Sequence, residues 1–293
     1  MPRRCSARIA LLVATLWTAG SVAAATRVLF VGNSFFYGAV SSVEHYRPTS
    51  VQDLNGTGYG GVPALFKRLT EEVGMDAEVA LEAVPGVGFD EHYQHRLDRL
   101  VGVWDTVVMS SYSTLDREHP GDPTALLHDT PLLAHFFLVA NPAVHIYLNA
   151  TWTRADQTYL PTGHWYGKSV AAMAEDVYAG YAQAQAAAPL IRDVIPTGSA
   201  WTRAIHAGIA DANPYDGIDP GTIDLWASDH YHASNAGYYL EALVIFGAVT
   251  GYDPLRLGAH ELVAADLGIE SAVALALQQV AHDELIARHA ATP

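Results

Sequence analysis

Cysteine is almost absent from this sequence: Cys5 is the only one among 293 residues. A chain with a single cysteine has no internal disulfide framework, so it is not a small disulfide-stapled scaffold. Cys5 lies close to the amino terminus, and no residue after it has a thiol for nucleophilic or metal-binding chemistry.

Positively charged residues are also scarce. The chain has 16 lysines and arginines against 31 aspartates and glutamates, which gives a formal net charge of −15. A chain this acidic repels phosphate backbones and anionic lipid headgroups, so the composition argues against a nucleic-acid partner. A neutral or weakly charged small molecule fits this balance better.

No uninterrupted hydrophobic run reaches the length of a membrane span. The apolar run Ile9–Trp17 is too short to cross a bilayer. It follows three arginines within the first eight residues and precedes the small residues Ala23–Ala25, which is the pattern of a secretory signal peptide. We therefore expect residues 1–25 to be a signal peptide and residues 26–293 to form a single domain. The protein would be secreted or periplasmic, with no stable membrane insertion after cleavage.

Short β-rich runs alternate with helical patterns along the remaining chain. The predicted strands are Arg27–Val31, Ala77–Ala83, Asp105–Met109, Val144–Leu148 and Leu190–Ile195. The predicted helices are Val62–Val73, Asp90–Val101, Thr124–Val139, Ser169–Ala187 and Asn235–Val249, with a mostly helical tail after Pro254. Such alternation predicts an α/β fold in which helices cover both faces of a mostly parallel five-stranded sheet.

One connection is unusually long. The segment Tyr37–Gly61 follows the first strand and contains a glycine-rich stretch at residues 55–61. Two interpretations remain open: a mobile surface loop, or a lid or binding loop beside the end of the first strand.

Two short motifs point to chemistry. Gly32-Asn33-Ser34 comes directly after the first strand, where the carboxyl ends of parallel strands collect ligands. Far along the chain, Asp229 precedes His232 by three residues, just before a predicted helix. A serine, a histidine and a carboxylate are the nucleophile, the base and the group that orients the base in serine acyl transfer.

These motifs resemble those of the SGNH (GDSL-type) hydrolases, in the variant that begins with Gly-Asn-Ser. Gly32-Asn33-Ser34 matches the first block of the family, and Asp229 to His232 matches its last. The resemblance implies a flavodoxin-like three-layer α/β/α sandwich. It implies that Ser34 is the nucleophile, His232 the base and Asp229 its orienting carboxylate, with no metal and no other cofactor.

The resemblance also implies an oxyanion hole. The backbone N–H of Ser34 would be one donor, and a glycine N–H of the second block another, with Gly88 preferred to Gly86. The family usually adds an asparagine after the third strand, but residues 110–114 contain none. The candidates for this donor are the hydroxyls of Ser111, Ser113 and Thr114, or the amides of Asn33 and Asn149.

The expected activity is hydrolysis of carboxylic esters through an acyl-enzyme. Acetyl esters of carbohydrates are the favoured substrates, with short-chain lipid or aryl esters as the rival class. Because the third-block asparagine is missing, a weak or inactive protein that binds a glycan or acyl ligand is an alternative. A second alternative is a metal hydrolase in which Asp229, His230 and His232 share an ion with a distant partner among residues 90–92.

Overall fold

The computed structural model describes residues 25–291, so the expected signal peptide lies outside the described residues except for Ala25. Six parallel strands form one sheet in the order β2-β3-β1-β4-β5-β6. They are β1 (Thr26–Gly32), β2 (Gln52–Asp53), β3 (Ala77–Ala83), β4 (Thr106–Met109), β5 (His145–Asn149) and β6 (Ile191–Ile195). The parallel sheet is confirmed, but the predicted strand number was one too low, because β2 is a two-residue edge strand.

Helices connect these strands. They are α1 (Ser34–Tyr37), α2 (Gly61–Glu72), α3 (Phe89–His95), α4 (Leu97–Leu100), α5 (Thr124–Ala140), α6 (Ala155–Tyr159), α7 (Val170–Ala187), α8 (Thr197–His206), α9 (Asn235–Thr250), α10 (Leu262–Asp266) and α11 (Ser271–Ala291). The helix predicted over Asp90–Val101 is broken at Arg96, and α8 was not predicted. None of the helices described is both long and apolar enough to cross a bilayer.

Two apolar layers cover the sheet. Alternate β1 residues point to opposite faces: Val28 and Phe30 pack with α2, α8, α9 and α11, whereas Leu29 and Val31 pack with α3, α5 and α7. Every one of these four side chains is almost fully buried. The arrangement is the predicted three-layer α/β/α sandwich, and it places the carboxyl ends of the strands at one edge.

The long connection after α1 has many fixed contacts. Asp53 accepts hydrogen bonds from the backbone N–H groups of Asn55, Thr57, Gly58 and Tyr59 at 2.6–3.3 Å. The ring of Tyr59 stacks on that of Tyr37, with centroids 4.3 Å apart. These contacts tie the glycine-rich part of the connection to the end of α1.

Candidate active site

The turn after β1 presents a serine. Asn33 caps the one-turn helix α1 by accepting a hydrogen bond from the Phe35 N–H at 3.2 Å, and Ser34 is the first helical residue. Gly38, in the left-handed conformation, ends the helix. Because α1 has only four residues, its backbone N–H groups rather than a long helix dipole are available to a ligand near Ser34.

The histidine comes from a tight loop before α9. His232 Nε2 lies 2.9 Å from Ser34 Oγ, and His232 Nδ1 lies 2.6 Å from Asp229 Oδ2. The other oxygen of Asp229 accepts hydrogen bonds from the N–H groups of His232 and Tyr231. Ser234, not Asp229, caps α9. The carboxylate of Asp229 therefore shapes the loop and holds the imidazole at the same time.

The environment sets the protonation of this pair. Burial is the main influence on His232 and lowers its pKa below the ordinary value of 6.5, aided by the nearby charge of Arg154 and opposed by Asp229. For Asp229, partial burial acts to raise the pKa, but hydrogen bonds from the side chain and backbone of His232 outweigh it and hold the pKa below 3.8. A neutral imidazole beside an ionised carboxylate is the arrangement that accepts a proton from a serine.

Asn33 fastens the loops around the serine. Its side-chain amide donates to the carbonyl of Val87 at 2.9 Å and to the carbonyl of Ser111 at 3.1 Å. These carbonyls belong to the loops after β3 and β4. Both amide hydrogens are thus engaged in bonds that hold three loops together, which excludes Asn33 as an oxyanion donor in this arrangement.

A buried histidine contacts the turn that presents Ser34. His92 Nε2 lies 2.9 Å from the carbonyl oxygen of Gly32, and its Nδ1 contacts Glu82. Both side chains are fully buried. Because a carbonyl only accepts, Nε2 carries the hydrogen in this bond. Sequence reasoning considered His92 as a metal ligand, whereas the structure gives it this contact with the turn that presents Ser34.

The two candidate glycines differ in position. Gly86 is exposed, has φ of 66° and lines the cavity beside Ser34. Gly88 is buried beneath the ring of Tyr112, where an added Cβ would overlap that ring. The Gly88 backbone also makes a hydrogen bond with the Tyr112 hydroxyl. Burial is the main cause of the raised pKa of that hydroxyl, and the hydrogen bond opposes it. Of the two, Gly86 alone lines the cavity, whereas the sequence preferred Gly88.

The three candidate hydroxyls are also distinguishable. Ser111 Oγ lies 3.3 Å from the Phe89 N–H, from which it accepts a bond, and Thr114 Oγ1 donates to the Asp116 carbonyl at 2.7 Å. Ser113 lines the cavity, and its Oγ makes no hydrogen bond with any other residue described. Ser111 keeps its O–H hydrogen but does not line the cavity, and Thr114 has donated its hydrogen; among the three, Ser113 alone combines a free O–H with a place in the lining.

Asn149 lies elsewhere. Its amide donates to Glu241 at 2.7 Å, and its carbonyl oxygen accepts from the Thr197 hydroxyl at 2.7 Å. All three side chains are fully buried between the sheet and the helices α8 and α9. The suggestion that Asn149 replaces the missing asparagine is therefore not supported by its contacts.

A cavity of about 220 Å³ opens beside the serine. Its lining includes Asn33 and Phe35, which flank Ser34, together with Ser113 and Gly86. Arg154 and Tyr231 also belong to the lining. The volume is below the roughly 300–1,000 Å³ of pockets that hold drug-sized ligands, so the cavity suits a small substituent.

Solved structures share this architecture. A DUF4886 family protein from Bacteroides uniformis is 16% identical, with a TM-score of 0.60 over 90% of this chain and 95% of its own. A putative SGNH hydrolase from Slackia heliotrinireducens is 22% identical, with a TM-score of 0.51 over 77% of this chain and 100% of its own. The chain has an SGNH hydrolase fold.

A third similar structure is LAE5, an α/β hydrolase enzyme from the metagenome of Lake Arreo, Spain. It is 14% identical, with a TM-score of 0.51 over 77% of this chain and 95% of its own. No protein-family model and no curated protein matches the sequence. At these identities the likeness concerns the SGNH fold, and the chemistry has to be argued from the side chains.

The residues described contain no ligand set for the metal hydrolase alternative. No group of three or more His, Cys, Asp and Glu side chains within residues 25–291 is arranged to hold an ion. His230 has φ of 54° and packs its ring edge-on against Tyr215, with centroids 4.3 Å apart. His230 therefore points to an aromatic neighbour and is not part of a cluster with Asp229 and His232.

Sequence reasoning assigned no role to residues 152–155, which support the loop that carries Asp229 and His232. Trp152 Nε1 donates to the carbonyl of Tyr231 at 3.3 Å, and the Ala155 N–H donates to the carbonyl of His230 at 3.2 Å. The guanidinium of Arg154 lies 3.8 Å from the centre of the Tyr231 ring. These contacts could not be predicted, because they join distant parts of the chain; Trp152 and Tyr231 are 79 positions apart.

Proposed function

We propose that this protein is a serine esterase that hydrolyses carboxylic esters through an acyl-enzyme. The observation that carries the proposal is the continuous hydrogen-bonded chain Ser34–His232–Asp229, with distances of 2.9 Å and 2.6 Å. Both links lie within the range for a nucleophile, a base and an orienting group. The cavity beside Ser34 supplies room for the reacting group.

In the proposed first step, Ser34 Oγ attacks the ester carbonyl while its proton moves to His232 Nε2. The resulting imidazolium is stabilised by Asp229, whose carboxylate contacts Nδ1. Collapse of the tetrahedral intermediate breaks the bond to the alcohol, and His232 returns the proton to the departing oxygen. Water then attacks the acyl-enzyme by the same route, releasing the acid and restoring Ser34.

The developing negative oxygen requires donors. We assign this role to the backbone N–H groups of Ser34 and Gly86 and to the hydroxyl of Ser113. Ser113 takes the place of the family's asparagine in this proposal, since its Oγ has no partner among the residues described and its side chain lines the cavity. Donors already aimed at the oxyanion contribute most when water is excluded around them.

The proposed substrates are small esters, with acetyl esters of carbohydrates as the first class to test. The cavity size supports a short acyl or alcohol substituent, and Phe35, Tyr112 and Tyr231 supply aromatic walls. We further propose that the protein is exported, on the basis of the basic and then apolar pattern of residues 1–25.

Hydrolysis of p-nitrophenyl acetate by the chain without residues 1–25 tests this function. We expect turnover by the wild type and rates close to the uncatalysed background for Ser34→Ala and His232→Ala. Equal rates for all three proteins would refute the esterase proposal and favour the alternative of a glycan- or acyl-binding protein. Retention of activity by Ser34→Ala together with loss to a chelator would favour metal-dependent hydrolysis instead.

A further inference from the structure

We propose that Arg154 makes this site selective for esters that carry a carboxylate on the group that fills the cavity beside Ser34. This inference rests on the proposed esterase function and names its substrate class. The net negative charge of the chain points away from acidic ligands, so binding of a carboxylate here depends on the local arrangement of charge.

The guanidinium of Arg154 is only partly occupied. Nε and Nη2 bind the two oxygens of Asp156 at 3.0 Å and 2.6 Å. An arginine has five N–H donors in a fixed plane, so a bidentate carboxylate on one edge leaves three donors. Among the residues described, Nη1 donates to none. The second edge of the fork, formed by Nη1 and the remaining Nη2 hydrogen, has the geometry that binds a further carboxylate bidentately.

Arg154 is also fixed in place. Asp156 holds one edge of its guanidinium, and the plane lies against the Tyr231 ring with 3.8 Å between the guanidinium carbon and the ring centre. The side chain is 21% exposed. An arginine fixed in this way loses little conformational freedom when it binds a ligand. This favours selective binding of a carboxylate in one geometry.

The charged side chains that line the cavity are both positive. Its lining contains two arginines, Arg154 and Arg117, and no acidic side chain. Arg117 is 69% exposed, and its nearest carboxylate, that of Glu118, lies 3.8 Å away. Arg154 lies near enough to His232 to add to the lowering of its pKa, which is caused chiefly by burial. A carboxylate on a small substrate would therefore meet Arg154 close to the scissile bond.

The experiment compares charged and neutral esters of similar shape. On the acyl side, p-nitrophenyl hydrogen succinate is compared with p-nitrophenyl butyrate; on the alcohol side, 4-acetoxybenzoate is compared with 4-acetoxybenzamide. We expect the wild type to prefer the charged member of one pair by about ten- to hundredfold in kcat/KM, the range of a hydrogen bond to a charged group. The pair that shows the preference identifies which half of the ester occupies the cavity.

Arg154→Met should remove that preference and change kcat/KM for the neutral esters much less. The matched control is Arg256→Met, which removes an exposed arginine 5.0 Å from the Tyr252 ring centre, outside the cavity lining. This control should retain the preference. A wild type that hydrolyses both pairs with no charge preference would overturn the inference, as would an Arg154→Met variant that slows charged and neutral esters equally.

A binding measurement separates this inference from the esterase proposal. Monomethyl succinate is titrated calorimetrically into Ser34→Ala and into the double variant Ser34→Ala/Arg154→Met, both first shown to melt at similar temperatures. We expect the double variant to bind at least tenfold more weakly. If no ester is hydrolysed but this difference is found, the esterase proposal fails and the carboxylate site stands. Equal affinity in the two variants would refute the site.

Discussion

At the scale of single residues, the protonation of His232 governs the proposed chemistry. Its imidazole must be neutral to accept the proton of Ser34, and burial lowers its pKa below 6.5. Because its pKa is lowered, the ring stays neutral down to a lower pH than the ring of an ordinary histidine does. We therefore expect kcat/KM for p-nitrophenyl acetate to rise with pH through one ionisation whose midpoint lies below 6.5.

Arg154 provides a control on that assignment. Its positive charge disfavours the imidazolium, so Arg154→Met should move the midpoint to higher pH, because one cause of the lowered pKa is removed. Arg256→Met should leave the midpoint where it is. A midpoint above 6.5 in the wild type, or one that does not respond to Arg154→Met, would contradict this account of the electrostatics.

Ser113 gives a second prediction at the residue scale. Ser113→Ala removes the uncommitted hydroxyl from the cavity, and loss of one oxyanion donor typically lowers kcat by on the order of a hundredfold. The KM should change little, because the interaction forms mainly in the transition state. Steady-state kinetics of p-nitrophenyl acetate hydrolysis measure both constants.

Thr114→Val is the comparison for this variant. It removes the neighbouring hydroxyl, which already donates to the Asp116 carbonyl, while keeping the shape of the side chain. We expect its kcat to remain within severalfold of the wild type. A loss equal to that of Ser113→Ala would show that the free hydroxyl of Ser113 has no special role.

The sequence could predict that Ser34, Asp229 and His232 lie together, because each belongs to a short motif, and the structure brings the three side chains into contact. It could not choose among the hydroxyls of Ser111, Ser113 and Thr114. That choice depends on which hydroxyl lines the cavity and which already donates its hydrogen, as Thr114 does to the Asp116 carbonyl. The contacts of Asn33 and Asn149 were equally invisible, since their partners lie in distant segments.

At the scale of elements, the connection between α1 and α2 depends on one carboxylate. Asp53 accepts four backbone N–H bonds and one from the Thr57 hydroxyl. Asp53→Ala should lower the free energy of unfolding by about 1–3 kcal/mol, the usual cost of leaving such donors without a partner. Urea denaturation at neutral pH measures this change.

The control is Asp98→Ala, whose carboxylate is 78% exposed and 3.9 Å from Arg99. It should change stability by less than about 0.5 kcal/mol. The partial burial of Asp53 acts to raise its pKa, but its hydrogen bonds outweigh this and lower the pKa below 3.8. Its contribution is therefore present above pH 3.8 and lost as the pH falls further. Equal effects of the two variants would contradict the assigned role of Asp53.

Helices and strands with a regular spacing of apolar residues were predictable from the sequence. Elements that depend on distant contacts were not. The strand Ala77–Ala83 has both predicted limits, and α9 begins at the predicted residue, Asn235. The edge strand β2 has only two residues and pairs with β3, so no local pattern marks it. The helix α8 contains glycine and follows Pro196, signals that favour a loop, but Trp201 and Ala204 pack it into the core.

At the scale of the whole molecule, a buried carboxyl links the sheet to the helical layer. Glu241 in α9 accepts a hydrogen bond from Asn149 in β5, and burial raises its pKa well above 4.5. A folded-state pKa above the unfolded value means that the folded protein holds the proton more tightly. Stability from this group is complete below pH 4.5 and is lost as the pH rises toward the folded-state pKa.

Glu241→Gln removes this ionisation and keeps the acceptor oxygen. Relative to the wild type, the free energy of unfolding of the variant should increase between pH 5 and pH 8, by at most about 1.4 kcal/mol per pH unit. Urea denaturation across that range tests the slope, with exposed Glu270→Gln as the control that should show no trend. A difference between Glu241→Gln and the wild type that does not vary with pH would contradict a raised pKa.

The proposed function requires that Ser34 is a nucleophile activated by His232. Reaction of the purified protein with a fluorophosphonate, followed by intact-mass analysis and peptide mapping, tests this requirement. We expect one adduct per chain, located on Ser34, with labelling that becomes much slower in His232→Ala. No adduct on the folded wild-type protein, or an adduct on another residue, would contradict it.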